Sequence, residues 1–322
     1  MKKSAILATL ALVAIAAPGL ARAADAVKVT VSHKDVFDAV FPHRALEQGF
    51  FKEQNLDVSF LYAAGGAETV QTIATGSVNI ATTASVHSVI AAYAKGAPVR
   101  IVGSQIVGSP DIYWYVRTDG SIKKVEDLDG KNVAYSRQGS VSHMLIQNYA
   151  KQIGIKPNLI AGGGLPAVRT MLMTGQVDSA WGAVPFAVDG VRKGELKILF
   201  SADDIKATRD VVSRVTIANA DYMKSHRDVV RRYQLAYQKS VDAVYADLDS
   251  ALKHFADENK LEFEAVRQAS KYFGDKATHL IAPLRNFDEA VKQSVEFGLI
   301  SEPLTEAQKK ELVDIVYDPS KS

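Results

Sequence analysis

The chain has 322 residues, 38 Lys and Arg against 36 Asp and Glu, and a formal charge of +2. It has no cysteine, which excludes a disulfide framework, a Cys-ligated metal and a thiol nucleophile. The two signs of charge are interspersed, so there is no electrostatic footprint for nucleic acid, and the length suits two compact domains.

The amino terminus reads as a secretory signal. Lys2 and Lys3 precede an apolar run from Ala5 to Ala17, Pro18 and Gly19 break it, and Ala21, Arg22 and Ala23 form a small-x-small cleavage site. The run is shorter than the roughly 20 residues that span a bilayer. The expected mature chain starts at Ala24, is exported to the periplasm and carries no lipid, since the signal region has no Cys to acylate. Removing Lys2, Lys3 and Arg22 takes the charge from +2 to −1.

The first strand covers 27–32, where apolar and polar residues alternate. His33, Lys34, Asp35 and Phe37 follow it. A second strand ends at Tyr62 before the glycine turn at Gly65 and Gly66. Residues 69–81 then echo residues 168–180: Thr75 and Thr174, Gly76 and Gly175, Val78 and Val177, Ala81 and Ala180 recur in step, and Asn79 answers Asp178. Each copy reads as a helix stopped by a left-handed glycine cap, followed at once by a strand. Upstream of the second copy, a strand at 132–135 leads through Ser136, Arg137, Gln138, Gly139 and Ser140 into a helix. Strands and helices alternating at this spacing predict parallel α/β units, and two sets about a hundred residues apart predict two similar lobes.

The expected division is a first part of lobe 1 at 24–117, lobe 2 at 118–212, and a return strand with carboxyl-terminal helices at 213–322. The aromatic strand 111–117 leads out of lobe 1, and the strand 214–218 leads back, making a natural hinge. Ser225 to Asp228 reads as a capping-box variant opening a helix whose stripe runs through Val230, Tyr233, Tyr237, Val241, Val244 and Leu248. Phe287, Val291 and Val295 mark another helix, closed by Gly298, and 304–316 a last one. These helices are expected to pad lobe 1.

Leu46 to Val58, with Gly49, Phe51 and Asp57, resembles a stretch of the nitrate/sulfonate/taurine-type (NMT1/THI5-like) substrate-binding proteins of ABC transporters. Leu128 to Val133, then Gly139, Ser140, His143, Gly154 and Ile155, resembles that family's lobe-2 opening. Thr174 to Ala180 resembles its next helix–strand junction. The resemblance runs from Val27 to about Val316. It implies a type II periplasmic-binding-protein fold, a ligand enclosed between lobes, an inner-membrane ABC permease as partner and no catalysis. Two departures bear on the substrate. Many relatives carry Glu before the Pro at 185, where this chain has Val184, and the pyrimidine-precursor relatives have a cysteine-rich motif.

In open parallel sheets ligands sit at the carboxyl ends of strands, beside helix N-termini that offer unpaired N–H groups. The candidate ligand residues are therefore His33, Phe37, Gly65, Gly66, Thr82, Thr83, Ser85, Ser136, Arg137, Gly139, Ser140, Trp181, Gly182 and Pro185. Hydroxyls, glycine amides and Arg137 suit a small organic anion such as a sulfonate or carboxylate, and Phe37, Trp114 and Trp181 leave room for an aromatic body. The expected protein is a monomer without cofactor. The alternative is a metal-ion binder using His33, His87 and His143; no two of these are at close ligand spacing. An enzyme lacks a visible nucleophile–base constellation, since Asp203 and Asp204 are only adjacent carboxylates.

Overall fold

A computed structural model describes residues 23–321; the segment expected to be a signal lies outside the described residues except for Ala23. Ten strands are present: β1 (Asp25–Val31), β2 (Leu56–Tyr62), β3 (Ile80–Ser85), β4 (Val99–Val107), β5 (Ile112–Arg117), β6 (Asn132–Tyr135), β7 (Asn158–Ala161), β8 (Ala180–Ala183), β9 (Leu196–Ser201) and β10 (Val212–Asn219). The helices in the first half are α1 (Val40–Glu47), α2 (Phe50–Glu53), α3 (Gly66–Ala74), α4 (Val86–Ala94), α5 (Val141–Ile153), α6 (Leu165–Met173) and α7 (Val188–Arg192). Those that follow are α8 (Ala220–Ala246), α9 (Leu248–Asn259), α10 (Phe263–Ala269), α11 (Phe287–Glu296) and α12 (Glu306–Leu312). No helix among the described residues is long and apolar enough to cross a membrane.

The first sheet has the order β2-β1-β3-β10-β4. Strands β1, β2 and β3 are parallel, and β10 runs antiparallel to both β3 and β4. The remaining strands repeat this plan. β7 pairs parallel with β6, a single parallel bridge from Val133 to Ser179 carries β6 to the edge of β8, and β5 lies antiparallel between β8 and β9. The chain thus builds one α/β sheet twice and crosses between the copies at β4–β5 and β9–β10.

The sequence echo has a structural basis. Gly76 (φ 70°) and Gly175 (φ 75°) both take the left-handed conformation that ends their helices. Asn79 and Asp178 do the same job in each copy: Asn79 Oδ1 accepts from Lys28 N at 3.2 Å, and Asp178 Oδ2 accepts from Asn132 N at 2.9 Å. Each side chain ties the strand after its helix to the strand that opens its sheet.

Burial follows the strand pattern. Val27, Val29 and Val31 are buried while Lys28 is exposed, and β10, in the interior of its sheet, is buried at seven of its eight residues. In the second copy Trp114 stacks on Phe200 at 4.9 Å between centroids and donates its indole N–H to Ala134 O at 3.1 Å. Burying a side chain of this size is worth about 2–3 kcal/mol.

The larger buried apolar cluster runs from Val29 through Phe37 and Tyr113 to Trp114 and Trp181, with residues of both sheets, and the smaller fills the other face of the first sheet. Two expectations change. Helix α8 starts at Ala220 and not at Ser225; Asn219 Oδ1 caps it by accepting from Asp221 N and Tyr222 N at 2.9 and 3.1 Å, and His226 marks a kink. The last helix covers only Glu306–Leu312, after which the chain extends along β4, with Asp314 N donating to Ile101 O at 2.8 Å.

Candidate ligand-binding cleft

A small, partly open pocket of about 30 Å³ lies between the two sheets. Its walls include the sequence-nominated His33, Gly65, Gly66, Thr83, Ser136, Ser140 and Trp181. They also include Ser32, Asp38, Ile112, Val141, Ser142, Ala183 and Arg214, which were not nominated. A pocket of this size holds little more than one water.

Two helices begin at its walls. Gly66 opens α3, and Ser140 caps α5 by accepting from His143 N at 3.2 Å. The amides of a first turn have no intrahelical acceptor and carry partial positive charge. Gly66 is required by close approach: a Cβ there would lie 2.8 Å from Ser85 N and 2.9 Å from Thr83 O, both backbone atoms. Ser136, Ser140 and Ser142 form a hydroxyl chain, with Oγ separations of 3.1 Å from Ser142 to each of the others. Thr83 takes a left-handed conformation (φ 59°), and its Oγ1 accepts from Ser32 N at 2.8 Å.

The floor is ionic. Arg214 of β10 donates from both terminal nitrogens to Asp111 at 2.8 and 2.9 Å, so the two crossover segments are clamped to each other. Asp38 lies on the same guanidinium at 3.4 Å and accepts from Ser32 Oγ at 2.8 Å. Burial pushes the Asp38 carboxyl up to about 6, with Arg214 opposing the rise. Burial works against the charge on Arg214, but Asp111 and Asp38 outweigh it and hold the guanidinium protonated. His33 faces Trp181 at 6.0 Å, and burial lowers it to about 4, so its ring is neutral at pH 7.

The other nominated residues sit around the cavity without lining it. Phe37 packs edge-on against Phe255 and Phe273, and its N–H donates to Val184 O at 3.0 Å across the cleft. Thr82 is fully buried and accepts from Gln105 Nε2. Thr82, Thr83 and Ser85 belong to β3 and not to a loop after it. Ser85 Oγ donates to Gly139 O at 2.7 Å, joined by Ser88 Oγ at 2.8 Å, so these residues latch the lobes together. Arg137 lies at the rim, about half exposed, and pairs with Glu68 of the opposite lobe at 3.1 Å; the guanidinium on the cavity wall is Arg214. Gly182 packs under Tyr113, where a Cβ would lie 2.8 Å from the ring. Pro185 lines a separate groove between α7 and α9–α10, with Arg169 and Leu261. Trp114 is fully buried in the second sheet's core.

The three histidines of the metal alternative do not converge. His33 is on the cavity wall, His87 is buried in α4, and His143 Nδ1 accepts from Gly139 N at 3.2 Å beside the Tyr135 ring. Among the described residues no group of three or more His, Cys, Asp or Glu could hold a metal ion.

The buried imidazoles set an acid limit on stability. Burial lowers His33, His87, His143 and His279 from 6.5 to about 4, so below pH 6.5 the unfolded chain binds protons that the folded chain refuses. Asp38 acts in the opposite sense between its ordinary 3.8 and about 6, one group against four. The histidine contribution is complete above pH 6.5 and is lost as pH falls towards 4, at about 1.4 kcal/mol per pH unit for each proton of imbalance. The guanidinium midpoint should therefore fall clearly between pH 7 and pH 4.5; an unchanged midpoint would contradict the assignment of these rings as neutral.

Solved structures share this architecture. The alkanesulfonate-binding protein SsuA from Xanthomonas axonopodis pv. citri, bound to MOPS, superposes with a TM-score of 0.74 at 18% identity, covering 89% of this chain and 97% of that one. The periplasmic nitrate-binding protein NrtA from Synechocystis PCC 6803 does so at 0.70 and 13% identity, covering 90% and 85%. The fold is that of the periplasmic binding proteins. The NMT1/THI5-like family profile matches residues 41–251, and the chain belongs to that family. Among named relatives, the 4-amino-5-hydroxymethyl-2-methylpyrimidine phosphate synthases THI13 and THI5 of Saccharomyces cerevisiae are each 24% identical over 250 residues, 71% of this chain and 71% of theirs.

Proposed function

We propose that this protein is the periplasmic solute-binding component of an ABC importer, that it traps a small organic anion between its lobes, and that it presents the closed form to an inner-membrane permease. The observation that carries this reading is the doubled sheet with a polar cavity at the seam, walled by residues from both copies. The open form would expose the first turns of α3 and α5, where a partly dehydrated oxyanion gains backbone N–H partners. A ligand touching both lobes favours closure by its differential affinity for that state.

The yeast relatives raise a second reading, an enzyme of pyrimidine synthesis. The resemblance implies a cysteine-rich motif for that branch, and this chain has no cysteine, so the binding reading is preferred. A thermal-shift panel of small sulfonates, carboxylates and nitrogen heterocycles tests it. A true ligand at 100 times its Kd adds about 2.7 kcal/mol to stability and raises Tm. A flat panel, or turnover of a bound compound into product, would count against the binding role.

A further inference from the structure

One residue of the second lobe carries the latch between the lobes. Gly139, in a left-handed conformation (φ 77°), offers its carbonyl to the first lobe, where Ser85 Oγ and Ser88 Oγ at the start of α4 both donate to it, at 2.7 and 2.8 Å. A Cβ at 139 would lie 3.0 Å from Ser88 Oγ, so the approach needs glycine. Gly139 is held from behind. Its N–H donates to His143 Nδ1 at 3.2 Å, and Gln147 Nε2 lies 3.3 Å from the same nitrogen. A backbone N–H can only donate, so Nδ1 is the acceptor and the single proton of the ring sits on Nε2.

The surroundings of His143 offer a positive ring nothing. The ring is buried, and Tyr135 of β6 packs on it at 4.5 Å between centroids. Across the seam the titratable neighbour is His87 of α4, also buried, with no hydrogen-bond partner on either nitrogen; positive charge on the two rings is mutually repulsive. Lys206, in the turn packed against α5, bonds further along that helix through its N–H to Gln152 Oε1 at 2.8 Å, and Lys151 of α5 pairs with Glu296 of α11. No carboxylate is paired with either ring among the described residues. Both rings lie in the first turn of their helices, where the macrodipole opposes positive charge. His33 is another imidazole at the seam, packed on Trp181, but no bond between the lobes uses its nitrogens.

The solute-binding role requires closure, and on that reading we infer that His143 is an acid-sensitive latch: its neutral ring holds Gly139 against α4 and lets the ligand-free chain populate the closed form, and a proton on Nδ1 releases the lobes. The other bonds of the seam, Phe37 N to Val184 O at 3.0 Å and the rim pair of Arg137 with Glu68, need no ligand either. A proton on Nδ1 faces the N–H groups of Gly139 and Gln147, and the latch loses its acceptor. In the closed form burial lowers the ring to about 4; when the first lobe withdraws, the ring meets water and returns towards 6.5. The open form therefore binds a proton that the closed form refuses. As pH falls below 6.5 the closed-to-open ratio drops, by about 10- to 30-fold between pH 7.5 and 5.0. A ligand that needs closure is then bound more weakly in proportion.

The chain has no cysteine, so nitroxide labels go only to introduced ones. Gln71→Cys in α3 and Thr170→Cys in α6 are exposed and occupy matching positions of the two copies, one in each lobe. Double electron–electron resonance of the labelled, ligand-free protein at pH 7.5 and pH 5.0 reads the lobe separations. The short separation of the closed structure should be populated at pH 7.5, and its ratio to the long one should fall about 10- to 30-fold at pH 5.0. His143→Gln keeps an amide oxygen that can accept from Gly139 N and does not titrate, so it should hold the change below about threefold. No short separation at pH 7.5, an equal ratio at both pH values, or the full wild-type fall in His143→Gln would each overturn the inference. All three leave the solute-binding reading to the thermal-shift panel. If the variant does not fold, ring NMR of the wild type decides: His143 should gain its proton over the pH range in which the short separation disappears, and a ring still neutral after opening would overturn the latch.

Discussion

Arg214→Met should destabilise the protein by about 3–5 kcal/mol and abolish ligand binding. The guanidinium is 4% exposed and holds Asp111 through two hydrogen bonds, with Asp38 alongside. Methionine keeps much of the volume but leaves two carboxylates buried without a counter-charge, and removing one partner of a buried ion pair is costly for that reason. The loss should depend on pH. Asp38, already raised to about 6, is the group best placed to take up a proton, so the variant's deficit relative to wild type should narrow as pH falls from 7 towards 5, while both proteins lose the histidine contribution. Chemical denaturation at pH 7 and pH 5.5 reads both effects. A variant within about 1 kcal/mol of wild type at pH 7 would show that the clamp between the crossover segments is not what stabilises the hinge.

Ser140→Trp should abolish binding by propping the cleft open. Ser140 is 2% exposed, its hydroxyl caps α5, and it lines a cavity of about 30 Å³. An indole cannot fit there while Ser85 and Ser88 still reach Gly139 O across the gap. The lost cap costs about 1 kcal/mol, too little to unfold the chain. The expected variant is folded, has lost the lobe–lobe latch and gives no thermal shift with compounds that stabilise the wild type. Retained affinity would remove the start of α5 from the site.

Much of the fold was legible because its signals are local. The period-2 pattern of 27–31, the glycine caps at Gly76 and Gly175, and the strands that follow them are each set within a few residues, and repetition of the set gave the two-lobe plan. The walls of the cleft were legible in part for the same reason: His33, Gly65, Ser136 and Ser140 stand at strand ends or helix starts that pattern alone locates. The floor was not. Asp38 and Arg214 are 176 positions apart, and Asp111 lies 103 from Arg214, so no local pattern couples them. One signal was available: Arg214 interrupts an otherwise apolar or small strand, and a charge in the interior of a buried strand requires a buried partner. Arg137, the nominated cation, had a nearer use, pairing with Glu68 at the rim. The start of α8 was misplaced because the Ser225–Asp228 pattern coincides with a kink and not an end.

Small-angle scattering of the wild type with and without a saturating ligand probes lobe closure most directly, with Ser140→Trp as the control. The wild type should shrink on adding ligand to the dimensions of the closed structure, and the control should stay expanded under both conditions. A wild-type radius of gyration that is the same with and without bound ligand would contradict a hinged trap.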